Sequence, residues 1–516
     1  MALPSPYASV SPDLVGDFFI EYDGNRTTNP LEPNEQRMFV VRKVRSGSLF
    51  GSIMRKFHLI TYGCQMNKND SERIATVLSG IGFTSTDAQD DADFILMNTC
   101  SVRQTAEDRV FGNMVNFKIL KEKNPELVVG VTGCMPGRDR DGKLRAKMPD
   151  ADLFFPTADL PRLPGWLAGY FPELVNTAEV AEDYLKLRPL RKGTRQAYVT
   201  IQTGCNKFCT YCVVPFSRGL ERNRPAADIL GEIRELVASG CVEVTLLGQT
   251  VNSFRAPDPE TFQSSNPYHD HFAALLWEVN QIEGLRRVHY TAPHPVHMTD
   301  EVIDALTLPK HVNFIHLPVQ AGDDEILRRM NRRYTAAQYL EVVRKIRAKK
   351  PDIALGTDII VGFCGETVEQ FDRTVALYKE ADFDISYTAQ YSPRSGTVAY
   401  KAFKDDVSRE EKKRRWRALQ ELMEDTVLRK NQRFVGTTVE VMVEKYEPLL
   451  FSPSQREGEN SQREGVGHDR GICSGNSRDM KMVQFIGKKE LVGEIVNVKI
   501  NKVREWILEG ELISSS

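Results

Sequence analysis

Between Lys56 and Leu153, three short apolar runs alternate with stretches of helical period, and each run ends in a cysteine. The runs are FHLITY, ADFILMN and LVVGVT, closed by TYGC at Cys64, MNTC at Cys100 and VTGC at Cys134. Two are followed by the amphipathic segments NDSERIATVLSGIGF and TAEDRVFGNMVNFKILKEK, the third by a shorter one that runs into Pro149. Parallel strands need helical crossovers, so the alternation predicts a doubly wound parallel sheet over 56–153. The carboxyl ends of such strands share one edge, where ligands bind. Cysteines 36 and 34 residues apart are therefore expected to converge in space. One strand-end cysteine is ordinarily a small core residue. Three at equivalent topological positions point instead to a ligand set.

The rest of the chain divides by period. Residues 1–55 mix Pro, Ser and Asn without repeat and are expected to be a disordered extension; the acids Asp13, Asp17, Glu21 and Asp23 set them apart from a transit peptide. Residues 154–195, with five prolines and the basic run RPLRKGTR, read as a linker. From 196 to 435 the candidate strands AYVTIQTGC, VEVTLLGQ, RRVHYTAP, NFIHLPVQ, IALGTDIIVGF and ISYTAQYSPR alternate with helical stretches. They predict a partial β/α barrel of the TIM-like kind, whose chemistry sits at the carboxyl ends of its strands. From 436 to 514 the period becomes two: TTVEVMVEKY, KMVQFIG, LVGEIVNVKI and EWILEGEL suggest a small β-barrel with a polar loop from Pro448 to about Cys473.

GCNKFCTYC, residues 204–212, follows the first strand of the barrel series and supplies three of the nine cysteines, Cys205, Cys209 and Cys212. A zinc site normally completes a tetrahedron, and no fourth ligand follows here. A redox pair needs only two thiols. In an iron-sulfur cubane, three thiolates leave one iron open to another ligand. Nine cysteines in a long chain without a secretory leader read as reduced thiols of a cytosolic compartment. No apolar stretch reaches the ~18 residues that span a membrane.

The 68 basic and 70 acidic residues nearly balance, so a nucleic-acid partner has to be met by local basic surface. Two segments offer it, RRMNRRYTAAQYLEVVRKIRAKK from Arg328 and SREEKKRRWRALQELMEDTVLRKNQR from Ser408. The second opens with a Ser408/Glu411 capping box and carries Trp416, Leu419, Met423 and Val427 at helical spacing. A solvated helix back with an apolar stripe is its first reading.

CxxxCxxC at the end of a first barrel strand, with Tyr211 before the last cysteine, is similar to the signature of the radical S-adenosylmethionine superfamily. TYGCQMNKNDSE, GCNKFCTYCVVPFSRG, LLGQTVNSF, HLPVQAG, DIIVGF and YSPRSGT resemble, in order and spacing, the methylthiotransferases, from Lys56 to Leu512. The resemblance implies a radical 4Fe-4S cluster on Cys205, Cys209 and Cys212 whose open iron chelates S-adenosylmethionine. It implies an auxiliary 4Fe-4S cluster on Cys64, Cys100 and Cys134, and an RNA-binding TRAM module as the terminal barrel. One S-adenosylmethionine would methylate sulfide at the auxiliary cluster; a second would give the 5′-deoxyadenosyl radical that functionalises carbon 2 of adenine. No residue is assigned as acid or base.

GCQMN with NKFCTYCVVPF resembles the group of the family that modifies isopentenyl-adenosine beside the tRNA anticodon, and Gln65 and Met66 match it. Enzymes acting on threonylcarbamoyl-adenosine or on a ribosomal protein are the alternatives, and a non-catalytic zinc-loaded RNA-binding protein is a third. The implied partners are the anticodon stem-loop of tRNA, a reductant such as flavodoxin or ferredoxin, and a sulfur donor, for a cytoplasmic monomer with no membrane. Tyr211, Gln249, Gln320 and Asp358 are candidate contacts to S-adenosylmethionine or the nucleoside. His289, His294, His297 and His316 lie near strand ends, with a structural role as their first reading. Cys364 stands where the family commonly has proline and Ser217 where it has threonine. Cys241 and Cys473 read as structural.

Overall fold

In the computed structural model of the chain the described residues are 54–101, 104–174, 183–189, 191, 194–449 and 470–515. The expected extension falls outside them except for Met54 and Arg55, as does the polar loop over 450–469.

The first lobe is an all-parallel sheet of β1 (Lys56–Thr61), β2 (Thr84–Ser85), β3 (Phe94–Thr99), β4 (Val128–Gly133) and β5 (Leu153–Phe155), in the order β2-β1-β3-β4-β5. Strand β3 is buried at every position because helices cover both faces. Phe94 and Leu96 pack with Ile74 and Leu78 of α1 (Gln65–Gly80); Ile95 and Met97 pack with Met114 and Phe117 of α2 (Gln104–Lys123). The two-residue period of the strand thus feeds one core on each face.

The described residues of the segment expected to be a linker are folded onto this sheet. The segment begins in β5, and Leu160, Leu163, Leu167, Phe171 and Tyr184 close the core on the α1 side. Arg73 of α1, fully buried, donates to the carbonyl oxygens of Tyr184 and Leu187 and fixes its far end. Two of the prolines behind the linker reading are helical: Pro164 is in the first turn of Leu163–Leu167, where a missing N–H costs little, and Pro161 lies inside the short turn Thr157–Arg162.

The central lobe holds six parallel strands: β6 (Gln196–Thr200), then, past the short antiparallel pair β7 (Gln202–Thr203) and β8 (Arg222–Asn223), β9 (Glu243–Leu247), β10 (Arg287–Tyr290), β11 (Phe314–His316), β12 (Ala354–Val361) and β13 (Ile385–Gln390). They form two sheets, β10-β9-β6 and β11-β12-β13, joined by a parallel bridge from Val288 to His311. The barrel is open between β6 and β13, and open edges expose unpaired backbone groups. Both edges are covered. Asn69 of α1 donates to the Tyr198 carbonyl on β6 at 2.9 Å, and Trp416 of the helix Arg409–Asn431 donates to the Thr388 carbonyl on β13 at 3.0 Å.

In that helix Leu419, Met423 and Val427 are buried as the spacing predicts. Lys412 and Arg415 are buried too, Arg415 pairing with Glu366 at 2.7 Å, so part of this basic run is internal. Only half of the expected capping box forms. Ser408 accepts from the Glu411 N–H at 3.2 Å, while the Glu411 carboxylate turns to Arg414 and Arg415.

The last lobe is a closed barrel of β14 (Thr438–Pro448), β15 (Arg470–Ser477), β16 (Met482–Lys488), β17 (Ile495–Val503) and β18 (Leu508–Ser515), in the order β14-β15-β16-β18-β17. Four strands are legible from period; β15, RGICSGNS, reads as the end of the polar loop. Glycine is required there by close approach, since a Cβ on Gly475 would lie 1.8 Å from the Met442 carbonyl oxygen. Cys473 points into the core of this barrel with Val441, Val483 and Phe485.

The terminal barrel docks on the amino ends of the central strands, leaving their carboxyl ends clear. Arg287, at the start of β10 and fully buried, reaches Glu440 at 2.9 Å, the Asn476 carbonyl at 3.1 Å and Glu243 at 3.4 Å. Arg195 donates to the Gly493 carbonyl at 2.6 Å, and Asp384, just before β13, gathers Lys430 at 2.9 Å and Lys481 at 3.8 Å. Replacing Arg287 by Leu leaves the buried Glu243 without its countercharge, a loss of about 3–5 kcal/mol. The expected result is a lower denaturant midpoint together with faster proteolysis near Val435; an unchanged midpoint would show that the clasp contributes nothing.

Candidate active site between two cysteine triplets

Register brings the first three cysteines together. Thr61 pairs with Asn98, and Thr99 with Gly133, so the chain leaves β1, β3 and β4 at one edge. Cys64 is the residue before α1, Cys100 follows β3, and Cys134 opens α3 (Cys134–Arg138). Glycine makes two of the turns. Gly63 has φ +143° and Gly133 φ +101°; a Cβ on Gly63 would lie 2.8 Å from that of Cys100, and one on Gly133 2.3 Å from the Thr99 carbonyl oxygen. Asn67 Nδ2 donates to Asn98 Oδ1 and to the Thr99 carbonyl, each at 3.0 Å, and Asn98 Nδ2 returns to the Asn67 carbonyl at 2.8 Å. Cys100 and Cys134 are buried. The Cys64 residue keeps exposed surface, yet the protein packed around it pushes its thiol up, against the pull of the Arg218 guanidinium.

The second triplet lies on the loop that β7 and β8 bracket. Gly204 before Cys205 has φ +75°, and a Cβ there would lie 2.0 Å from the Leu220 carbonyl oxygen. Phe208 is left-handed at φ +50°, a conformation held by Asn331 Nδ2, which donates to the Lys207 and Phe208 carbonyls at 3.2 and 3.0 Å. Each sulfur has a polar partner. Cys205 Sγ lies 3.3 Å from Thr250 Oγ1 and accepts from the Lys207 N–H at 3.4 Å. Cys212 accepts from the Val214 N–H, and Cys209 from Arg332 Nη1, both at 3.4 Å.

Burial pushes the Cys205 thiol up and that of Cys212 to about 12, so as bare thiols both carry their protons at neutral pH. Ligation to iron would displace those protons. N–H and guanidinium donors aimed at sulfur suit thiolates that keep negative charge, as cluster ligands do. The donor set therefore fits a cluster. Among the described residues, no three His, Cys, Asp or Glu side chains close around a single metal ion.

The two triplets share one wall. Helix α3 packs against the turn Val214–Ser217, so closely that a Cβ on Gly137 would lie 2.2 Å from the Ser217 carbonyl oxygen. Arg218, next along, makes a buried ion pair with Asp70 of α1 at 2.5 Å. Arg138 reaches Ser101 at 2.9 Å, Glu107 at 2.7 Å and Ser395 Oγ at 2.5 Å, tying the first lobe to the YSPRSGT loop after β13.

The other predicted residues also lie on the barrel strands or at their carboxyl ends. Tyr211 packs against the barrel core, and burial holds its phenol well above the usual range. Gln249 Oε1 is buried without a hydrogen-bond partner, while the neighbouring Thr250 is the one that meets Cys205. Gln320 is left-handed at φ +74° and its N–H bonds the Asp358 carbonyl at 2.8 Å. Asp358 in turn holds His316 at 3.1 Å. His289 has a buried, unpartnered Nε2, and His294 packs on Tyr334 with ring centres 5.7 Å apart. Cys364 is a core thiol beside Tyr391. A cleft of about 530 Å³ lined by Asn313, Arg433, Phe434 and Arg478 lies under the terminal barrel, and none of the six triplet cysteines lines it. Donor chemistry rather than cavity size locates the site.

Residues 199–378 match the model of the Radical SAM superfamily, 56–156 that of Uncharacterized protein family UPF0004 and 457–513 that of the TRAM domain. The tRNA-2-methylthio-N(6)-dimethylallyladenosine synthase of Geobacillus thermodenitrificans is 41% identical over 468 residues, covering 90% of this chain and 84% of the relative. The chain belongs to this synthase family. The synthase of Clostridium botulinum is 40% identical over 468 residues, covering 90% and 98%. Among solved structures, the radical S-adenosylmethionine methyltransferase TsrM from Kitasatospora setae, with cobalamin and a 4Fe-4S cluster bound, has a TM-score of 0.50 at 14% identity over 67% of this chain and 77% of that one. That likeness shows the fold alone. The radical S-adenosylmethionine and TRAM lobes expected from the motifs are thus present, and the cofactors of the family are S-adenosylmethionine and 4Fe-4S clusters.

Burial holds His289, His294 and His311 below the ordinary imidazole range, His289 at about 4. Unfolded, each takes its proton near the usual ~6.5. Their neutral burial therefore stabilises the fold fully above that pH and progressively less as pH falls toward about 4. Between pH 7.5 and 5.0 the loss should be on the order of 1–2 kcal/mol per buried histidine. Urea unfolding of the metal-free chain at the two pH values reads it, and an unmoved midpoint contradicts it.

Proposed function

We propose that this protein adds a methylthio group to carbon 2 of isopentenyl (dimethylallyl) adenosine beside the anticodon of tRNA. One observation carries the reading: two cysteine triplets, each at the carboxyl edge of a parallel sheet, meet across the Gly137–Ser217 contact and the Arg218–Asp70 pair. Relatives that bear the name of that activity match over 90% of the chain. On this reading Cys205, Cys209 and Cys212 hold the radical cluster and Cys64, Cys100 and Cys134 the auxiliary one. Tyr211, Gln249, Gln320 and Asp358 are contacts to S-adenosylmethionine or the nucleoside. The domains are the first lobe from residue 56 with the described part of the former linker folded in, a radical core to 435, and the TRAM barrel beyond.

When bound, S-adenosylmethionine and the two clusters supply the radical and the methylated sulfur, which the chemistry needs because the C–H at carbon 2 of adenine is not acidic. The chain's own residues position. Thr250, the Lys207 and Val214 N–H groups and Arg332 orient the three radical-site sulfurs. Arg138 and Arg218 fix one lobe against the other, so the distance over which the group moves is set before substrate arrives. An anticodon loop presents unstacked bases at little cost. Exposed Trp506, Lys499 and Lys502 on the terminal barrel suit bases and phosphates. The reading carries with it a reductant such as flavodoxin or ferredoxin, a sulfur donor, a cytoplasmic setting and a monomeric chain. No described helix is long and apolar enough to cross a membrane.

Two sets of Ala variants test it. Anaerobically reconstituted protein should hold about eight irons, and loss of either triplet should leave about four, by cubane stoichiometry. The variant lacking Cys64, Cys100 and Cys134 should still release 5′-deoxyadenosine but give no methylthio product in tRNA; the variant lacking Cys205, Cys209 and Cys212 should release none. Methylthio product at the parent rate from the first variant would reduce those cysteines to core residues.

A further inference from the structure

We propose that Arg332 sets the reduction potential of the cluster held by Cys205, Cys209 and Cys212. The inference rests on the ligand assignment proposed above and adds to it a residue that acts through the thiolate, not on substrate.

Arg332 belongs to a basic segment that reads in sequence as nucleic-acid surface, and the structure separates its members. Arg328 is exposed and forks onto Glu325 at 2.7 Å. Arg329 lies over the Phe403 ring at 5.0 Å. Arg332 turns inward and is only 6% exposed. Its neighbours Asn331 and Arg333 are left-handed at φ +57° and +59°, and that double reversal swings the side chain between them toward the thiols. All three guanidinium nitrogens are engaged. Nε donates to the Tyr334 hydroxyl at 3.0 Å, Nη2 to the Pro318 carbonyl at 3.1 Å and Nη1 to Cys209 Sγ at 3.4 Å. Tyr334 is itself anchored, donating to the Val319 carbonyl at 2.7 Å. The fork is thus built from the barrel loops, with one prong left for sulfur.

The missing partner is as informative. Five other buried arginines, Arg138, Arg218, Arg224, Arg287 and Arg415, each pair with a carboxylate, and Arg73 is met by Asn69 and two carbonyl oxygens without facing a sulfur. Among the described residues no Asp or Glu pairs with Arg332. A buried cation without a countercharge is costly. The group it faces is Cys209, which supplies that charge as a thiolate ligand. A cluster becomes more negative by one charge on reduction, so a fixed cation and an N–H at its ligand sulfur favour the reduced form and raise the potential. A reductant of given strength then delivers its electron more readily to this site.

The test is a redox titration of the full-length reconstituted enzyme, followed by electron paramagnetic resonance, in the parent and in R332Q. The signal that S-adenosylmethionine perturbs marks the radical site; the unperturbed one is an internal control. In R332Q the first should become about tenfold harder to reduce, ~59 mV lower for one electron, while the second stays in place. No shift, or equal shifts of both signals, overturns the proposal. Should R332Q fail to hold iron, R332K decides. It keeps the charge, so full iron with the parental potential supports the proposal, while a shifted potential or lost iron shows the guanidinium to be a structural clasp. A parent enzyme with no signal that responds to S-adenosylmethionine would instead sink the ligand assignment.

Discussion

The buried ion pair between Arg218 and Asp70 is the joint at which two parallel sheets come to share one site. Both side chains are almost wholly removed from solvent, at 4% and 0% exposure, so either one alone would be a charge stranded in the interior. The pair therefore forms only when the first lobe and the barrel are docked as they are. Asp70 also accepts from the Tyr184 hydroxyl, which draws the segment after β5 into the same joint. From this one contact follow the seating of α1 on the barrel edge, the packing of α3 on the turn after Cys212, and the approach of one set of thiols to the other.

The parts of this arrangement that were legible in the sequence are those written in period and spacing. Apolar runs alternating with helical stretches gave the parallel sheets, and cysteines at equivalent strand ends gave the convergence, because topology alone puts those ends on one edge. Close approach was not legible. Gly63, Gly133 and Gly204 are needed for positive φ and for backbone within van der Waals reach, yet in the sequence they are three glycines in loops. Strand β15 was hidden for the same reason: the glycines that let it pass beside β14 make it read as coil. Prolines hide the fold of the segment after β5, since Pro occurs in loops and also within short helical turns, at the start for Pro164 and inside for Pro161.

Charge was the other source of error. A run of arginines and lysines reads as solvated surface, and for Arg328 and Arg414 that is where they lie. Arg332 and Arg415 come from the same runs and are buried, one facing a sulfur and the other a carboxylate. Sequence cannot sort them, because what decides is a backbone reversal at Asn331 in one case and the helix face presented to Glu366 in the other.

The docking of the terminal barrel has a geometric consequence. It clasps the amino ends of the central strands, while the thiols stand at the carboxyl ends, and the eight residues of β12 separate those two levels by roughly 26 Å at the usual ~3.3 Å rise. A substrate gripped at one level and altered at the other has to be at least that long. A short double helix of RNA with a loop at its tip meets that length, whereas a free nucleoside does not. On the proposed function, a stem-loop of RNA held on the terminal barrel reaches across that distance to the thiols.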